Sequence, residues 1–283
     1  MMIAVELQPD QRPALWDDHI ALYEEVFEPL TLAFAATAID RLRLAAGHRV
    51  IDIAAGCGGA ALMLAARGAD VLAVDASARM VERIRIRLAA RADVGSRVKA
   101  EVMDGAALAV ADATMDAALS VFGVVLFPDA VAGVGEMTRV LKPLGRAAVV
   151  TWTEPENYQL MAELLAATRA VTPDFPPPPH PPAQLRFRDE AAFHALLTDA
   201  GLRDVRIERV TIRLEVPGAR WLAGNIEQVL DAQYRAVERT ERHASTRARI
   251  GSIGRSTGGI RIDGEAGALT LAVRVGNVSE SLL

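Results

Sequence analysis

The spacing of hydrophobic positions changes along the chain, and each change marks an element. Between residues 12 and 43, Leu15, Trp16, His19, Ile20, Tyr23, Val26 and Phe27 recur at intervals of three and four. That period predicts amphipathic helix, interrupted at Pro29, with Leu32, Phe34, Ile39 and Leu42 on the second half. From residue 49 the pattern becomes short apolar runs, which predict strands at 49–54, 70–75, 97–103, 115–122 and 146–152. Helical stretches at 58–67, 77–91 and 129–142 separate them, with Ser77 placed to cap the second. Strand and helix in alternation imply right-handed crossovers and a parallel sheet covered on both faces.

After residue 154 the alternation stops. Residues 157–170 read as helix, and the proline run at 173–182 as a stiff surface connection. Helix is expected at 189–200 and 221–243, a glycine-rich loop at 251–267, and strands at 205–216 and 268–275. The two late strands are expected antiparallel at one sheet edge. The expected architecture is a doubly wound α/β domain spanning 1–283, with a mostly parallel seven-stranded sheet and an antiparallel edge strand. Within it, 10–45 forms a helical lid, 46–153 the core, and 154–200 and 217–262 the insertions on the substrate side.

Composition narrows the class. The chain has 283 residues, 51% of them hydrophobic, enough for a substantial core. A net charge of −5 without a basic run argues against a nucleic-acid partner. Cys57 is the single cysteine, which excludes a disulfide framework and a multi-cysteine metal site. No apolar run reaches membrane-spanning length and the first residues lack the regions of a signal peptide, so a cytoplasmic setting is expected.

The candidate chemistry gathers where strands end. Residues 50–53 are followed by glycines at 56, 58 and 59 and then by a helix-forming run. A strand, a glycine turn and a helix start together make a nucleotide-type site, because glycine lets the backbone approach a ligand and free N–H groups face it. Asp52, Asp75, Asp104 and Ser120 each fall at or just past the end of a successive strand, the edge at which open α/β sheets place ligands. The glycine pattern also fits a dinucleotide, so an NAD(P)-dependent oxidoreductase is the first alternative. Charge argues against it. Two phosphates would meet Asp52 with no Arg or Lys inside the loop. A ligand carrying a sulfonium and an ammonium would meet an acid that suits it, and the helix start would suit that ligand's carboxylate.

The run 50–59, Val-Ile-Asp-Ile-Ala-Ala-Gly-Cys-Gly-Gly, resembles the first motif of class I S-adenosylmethionine-dependent methyltransferases. Val74-Asp75-Ala76-Ser77 with Met80 resembles the acidic second motif, and Met103-Asp104-Gly105 the adenine-contacting acid. Residues 115–120 resemble the fourth-strand motif, and 136–143 the helix and turn before the fifth strand. The likeness covers roughly 45–153 and is nearest the small-molecule branch that includes quinone C-methyltransferases. Two positions depart from it: Cys57 stands for the usual Thr or Ser, and Leu144 for a turn glycine. The resemblance implies a Rossmann-like fold and cofactor contacts at Ala54, Gly56, Cys57 and Gly58. It further implies the ribose at Asp75 and Ala76, the adenine at Asp104 and Gly105 with Met80 and Val81 beside the ring, and the methionine portion near Ser120. Asp52 is expected to order the loop and the ammonium end, with Trp16 and Tyr23 closing over the sulfonium.

The acceptor is less legible. No Asn/Asp-Pro-Pro-aromatic motif follows the fourth strand, where Ser120-Val121-Phe122-Gly123 stands, and Cys57 is misplaced for a pyrimidine nucleophile. The chain's 13 aromatic residues include Trp16, Tyr23, Phe27, Phe122, Tyr158 and Phe175 on lid segments or the ligand edge, which suggests a small apolar or aromatic acceptor. Phe127 and Trp152 read as core. Of the candidate bases, His19 and Tyr158 are the two advanced; His194 reads as helix surface and His180 as solvated loop. A non-catalytic protein that binds the same cofactor to regulate a partner is the second alternative. Homodimerisation stays open.

Overall fold

The computed structural model describes residue 7, residues 9–91, 93–153 and 183–213, and the backbone of 268–277. The predicted elements at 157–170, 173–182, 221–243 and 251–267, together with Tyr158 and Phe175, lie outside the described residues.

A short helix α1 (Pro13–Asp18) leads through Ile20–Leu22 and a wide turn at Tyr23–Phe27 into α2 (Glu28–Leu42). The interruption falls just before Pro29, which opens the second helix. The proline sits in the first turn of α2, where its missing N–H costs nothing, and the widened π turn just before it absorbs the irregularity.

Five parallel strands follow: β1 (Arg49–Ile53), β2 (Asp70–Asp75), β3 (Val98–Val102), β4 (Met115–Val121) and β5 (Leu141–Trp152). They lie in the order β3-β2-β1-β4-β5, so the chain leaves β1 in one direction and returns to its other side at β4. The gap between the ends of β1 and β4 is the switch point at which such sheets hold ligands. The crossovers are α3 (Gly59–Ala66), α4 (Ala78–Ala89) and α5 (Ala130–Val140). Ser77 caps α4 as expected, accepting from the Met80 N–H, and Asp129 caps α5 through the Ala132 N–H.

Side-chain alternation along β1 decides what faces what. Val50 joins the apolar cluster under α2 and α3, with Phe34, Ile39 and Leu64, whereas Ile51 and Ile53 join the one under α5, with Val134 and Met137. Asp52 therefore shares Val50's face, beneath α2 and α3. Full burial of Phe34, Ile39 and Leu42 contributes about 1.5–3 kcal/mol per side chain, which holds α2 on the sheet.

Beyond β5 the chain adds α6 (Glu190–Asp199), β6 (Arg203–Arg213) and β7 (Ala268–Asn277). β7 pairs antiparallel with both β5 and β6, so the antiparallel member lies between them and β6 takes the edge. The two late strands are thus antiparallel to each other at one sheet edge, but the strand that opposes the rest is second from the edge and not the edge strand expected, because β7 enters beside β5.

Candidate functional site

The turn after β1 alternates into the left-handed region three times, at Ala54 (φ 57°), Gly56 (φ 56°) and Gly58 (φ 82°). Glycine takes this conformation freely, but at Ala54 it costs about 1–2 kcal/mol. Asp75, at the end of β2, holds the turn in place. Its carboxylate accepts from the Gly56 N–H at 2.9 Å and from the Ser77 N–H at 2.9 Å, tying the ends of neighbouring strands together. Burial pushes Asp75 up to about 6 against the pull of these N–H groups.

Two acids of the chain serve the start of α3. Asp52 is 1% exposed, and burial, with Asp75 nearby, pushes it up to about 7 while the Ala61 N–H draws it back part of the way. One of its oxygens, Oδ2, has no hydrogen-bond partner. Glu28, from α2, accepts from the Gly59 N–H at 3.1 Å. The helix start was expected to receive a ligand's carboxylate; in the structure its Gly59 N–H is given to Glu28 and its Ala61 N–H to Asp52.

The N-terminal segment lies over this turn. Tyr23 reaches Gly56 so closely that a Cβ there would sit 2.7 Å from its hydroxyl, and Trp16 meets Tyr23 edge-on at 6.3 Å. Burial and Glu28 raise the Tyr23 phenol well above its usual range, so it stays protonated. Tyr23, Glu28, Thr31, Asp52, Ala54 and Val121 line a small pocket between α2 and the turn. His19 is buried nearby on the same segment, with Nδ1 donating to the Leu15 carbonyl at 2.6 Å. That bond fixes the proton on Nδ1 and leaves Nε2 as the basic nitrogen.

Other expected contacts divide. Asp104 stands exposed at the end of β3, its carboxylate accepting from the Ala106 N–H, and Ala76 is exposed beside Asp75. Gly105 is buried where any side chain would strike the Phe127 ring. Met80 and Val81 do not offer a face for a ring. Both are fully buried, and the Met80 sulfur lies 3.3 Å from the Cys57 thiol, supporting the turn from below. Burial and the nearby Glu24 and Glu28 push that thiol up to about 12, so it is an inert packing group. Ser120 is likewise corrected: it is completely buried and its hydroxyl is used twice, donating to Ile53 O and accepting from the Val124 N–H, each at 2.9 Å. It shapes the β4 end, with its O–H spent on Ile53 and its oxygen buried away from a ligand.

Sequence reasoning missed Asp17, Glu24, Glu28, Arg83 and Arg87, which join the N-terminal segment to α4. The available signal was acids at 24 and 28 matching arginines at 83 and 87, both pairs one helical turn apart. Phe122, expected at the ligand edge, carries a conformation the pattern did not show: it is held at φ 58° and stacked on Trp152 with centroids 4.4 Å apart, with Phe34 edge-on at 6.0 Å. No group of three or more metal-binding side chains occurs among the described residues, and none of their helices is long and apolar enough to cross a membrane.

Comparison with known proteins places this geometry. Residues 50–145 match a family model described as a methyltransferase domain. An uncharacterized protein of Mycobacterium tuberculosis is 32% identical over 167 residues, which is 58% of each chain, so the match spans little more than half of that relative. A ubiquinone/menaquinone biosynthesis C-methyltransferase of Geobacter sulfurreducens is 30% identical over 178 residues, 59% of this chain and 69% of the relative. Among solved structures, a Haemonchus contortus phosphoethanolamine N-methyltransferase bound to phosphomonomethylethanolamine and S-adenosylhomocysteine shares the fold at TM-score 0.54 and 16% identity, covering 93% of this chain and 58% of that one.

Proposed function

Because the chain belongs to the S-adenosylmethionine-dependent methyltransferases, we propose that it methylates a small, apolar or aromatic acceptor at carbon, oxygen or nitrogen. The observation that carries this reading is the buried Asp52 carboxylate, with one oxygen unpartnered beside a pocket that also holds Glu28 and Tyr23. A buried, unpaired acid is costly unless a cation completes it. A methionine-type sulfonium and ammonium fit that requirement, and a pyrophosphate does not.

The donor, when bound, supplies an electrophilic methyl group on a positive sulfur. The chain's own residues do the positioning. Asp75 and Ala76 would take the ribose, Asp104 and Gly105 the adenine, and Asp52 the cationic end. Tyr23, with Trp16 beside it, covers Gly56 and keeps water from the turn. In-line displacement needs little beyond alignment and dryness, so a base matters only for acceptors that lose a proton. For those, His19 is the described candidate, through Nε2; Tyr158 lies outside the described residues.

The quinone-pathway relative supports starting the search for the acceptor with quinone-type rings. The stacked Phe122 and Trp152 at the ends of β4 and β5 support an apolar acceptor side. We extend the reading to the whole architecture: one domain of seven strands over 1–283, a lid at 10–45, a cofactor core at 46–153 and acceptor-side insertions at 154–200 and 217–262, working in the cytoplasm as a monomer or homodimer.

Calorimetry with S-adenosylhomocysteine and NAD(P)H tests the cofactor. Heat with the first and none with the second is expected; the reverse ends the proposal. Transfer of a labelled methyl group across a panel of quinols, phenols, polyketides, sugars and fatty acids then names the acceptor.

A further inference from the structure

Helix α3 begins at a residue that cannot cap it. Gly58, in the left-handed conformation, has no side chain to accept from the first N–H groups. The missing acceptor comes from Glu28, 31 residues before Gly59, whose Oε1 lies 3.1 Å from the Gly59 nitrogen. The same oxygen accepts from Arg87 Nη1 at 2.6 Å, and that nitrogen also donates to the Cys57 carbonyl at 2.9 Å. Glu28 and Arg87 thus grip the turn from both of its backbone polarities, one taking an N–H and the other a C=O.

Two further contacts extend the grip along α4. Glu24 holds Arg83, both carboxylate oxygens lying 2.8 Å from Nε. Asp17 accepts from the Ser77 hydroxyl at 2.6 Å and the Arg79 N–H at 3.3 Å. The acids at 17, 24 and 28 therefore meet positions 77, 83 and 87 in the same order, so the segment docks in one register. Asp52 and Asp75 add like charge beside the same turn, and Arg83 and Arg87 are the described residues whose guanidinium groups pair with its acids.

We propose that Glu28 is a positioning residue that sets the cofactor turn only while the N-terminal segment is docked. Ordering of the glycine turn and docking of residues 17–28 on α4 are then one equilibrium. The outer pairs at Glu24 and Asp17 tune it, and Glu28 transmits it to the backbone that receives the cofactor. The assignment of the turn to a cofactor rests on the methyltransferase reading; the coupling itself does not.

Hydrogen exchange on the full ligand-free chain tests it directly. Glu28→Ala is expected to speed exchange of the 56–60 amides by about tenfold or more, the loss of one charge-assisted bond, with protection of the β4 amides 117–120 unchanged. Glu28→Gln keeps an acceptor for the Gly59 N–H and is expected to restore most of that protection. Glu24→Gln, at a half-buried pair, is expected to loosen 13–28 and 56–60 together, by about threefold. Equal 56–60 exchange in Glu28→Ala and wild type overturns the proposal, as does loosening of 13–28 in Glu24→Gln without any change at 56–60. Should Glu28→Ala not fold, Glu28→Gln and Glu24→Gln still decide it. Calorimetric binding of S-adenosylhomocysteine is run in parallel: weaker binding by Glu28→Ala, recovered in Glu28→Gln, extends the coupling to the cofactor. No binding by wild type refutes the cofactor reading and leaves the exchange result standing.

Discussion

Ala54 and Phe122 hold nearly the same left-handed backbone, φ 57° and 58°, at the ends of the neighbouring strands β1 and β4. Neither is a glycine, so both carry strain, and both sit at the switch point of the sheet. Their side chains explain why the strain persists. The Ala54 methyl packs against Gly123, and the Phe122 ring stacks on Trp152 and meets Phe34.

Removing each side chain separates strain from packing. Ala54→Gly relieves the left-handed penalty but adds unfolded-state entropy, so its stability is expected within about 1 kcal/mol of wild type. Phe122→Ala keeps the strain and loses the stack, and is expected to cost about 3 kcal/mol or more. Denaturant midpoints measure both. A loss above about 2 kcal/mol in Ala54→Gly would mean that the methyl contact outweighs the strain.

Asp75 has a structural and a ligand role, and two variants divide them. Asp75→Ala leaves the Gly56 and Ser77 N–H groups without their acceptor and removes the carboxylate offered to the ribose, so affinity for S-adenosylhomocysteine should fall by roughly 2–4 kcal/mol. Asp75→Asn retains one acceptor and should sit between it and wild type. Isothermal calorimetry reads the series, and unchanged affinity in Asp75→Ala would remove the ribose from β2.

How much of this was legible beforehand follows from where each signal lies. β1 to β5 could be read because apolar runs, a glycine turn and local caps such as Ser77 all act over a few residues. Asp75 and Asp104 could be placed because strand ends are local features too. Glu28 was not placed, since its partners are a backbone N–H and an arginine far along the chain, and the matched spacing of 24 and 28 with 83 and 87 does not say that the two helices meet. Ser120 shows the opposite error: its place in the strand was right, but a hydroxyl's two bonds to Ile53 and Val124 leave no trace in the pattern. Phe122's left-handed backbone was invisible because a bulky aromatic is the last residue expected there.

Proton linkage should be visible in cofactor binding. Asp52 and Asp75, pushed from 3.8 up to about 7 and about 6 chiefly by burial, hold protons more tightly folded than unfolded. Their contribution to the ligand-free fold is therefore greatest below the unfolded value and is lost as pH rises through 6 to 7. A cationic ligand reverses the preference and expels those protons. Affinity for S-adenosylmethionine should accordingly rise between about pH 5.5 and about pH 8, more steeply than for S-adenosylhomocysteine, which lacks the sulfonium charge. Calorimetry in buffers of different ionisation enthalpy counts the protons released, and Asp52→Asn should flatten the slope. Equal slopes for the two ligands would place the sulfonium away from these acids.

The contact between Ala54 and Gly123 makes a final, double-mutant prediction. A Cβ at Gly123 would overlap the Ala54 methyl, whose position the backbone fixes so that it cannot rotate away, and would also press on Ser120 Oγ at 3.0 Å and Ile53 O at 3.2 Å. Gly123→Ala should therefore destabilise the fold by about 1–3 kcal/mol and open the β1–β4 gap where the ligand belongs. Adding Ala54→Gly removes the severest overlap and leaves the two milder ones, so the pair should recover part of the loss, with a coupling of about 1 kcal/mol or more. Thermal melts of the two single variants and the double variant close the cycle. Strict additivity would show that the ends of β1 and β4 move apart freely, and that the pinch between them is not what sets the width of the site.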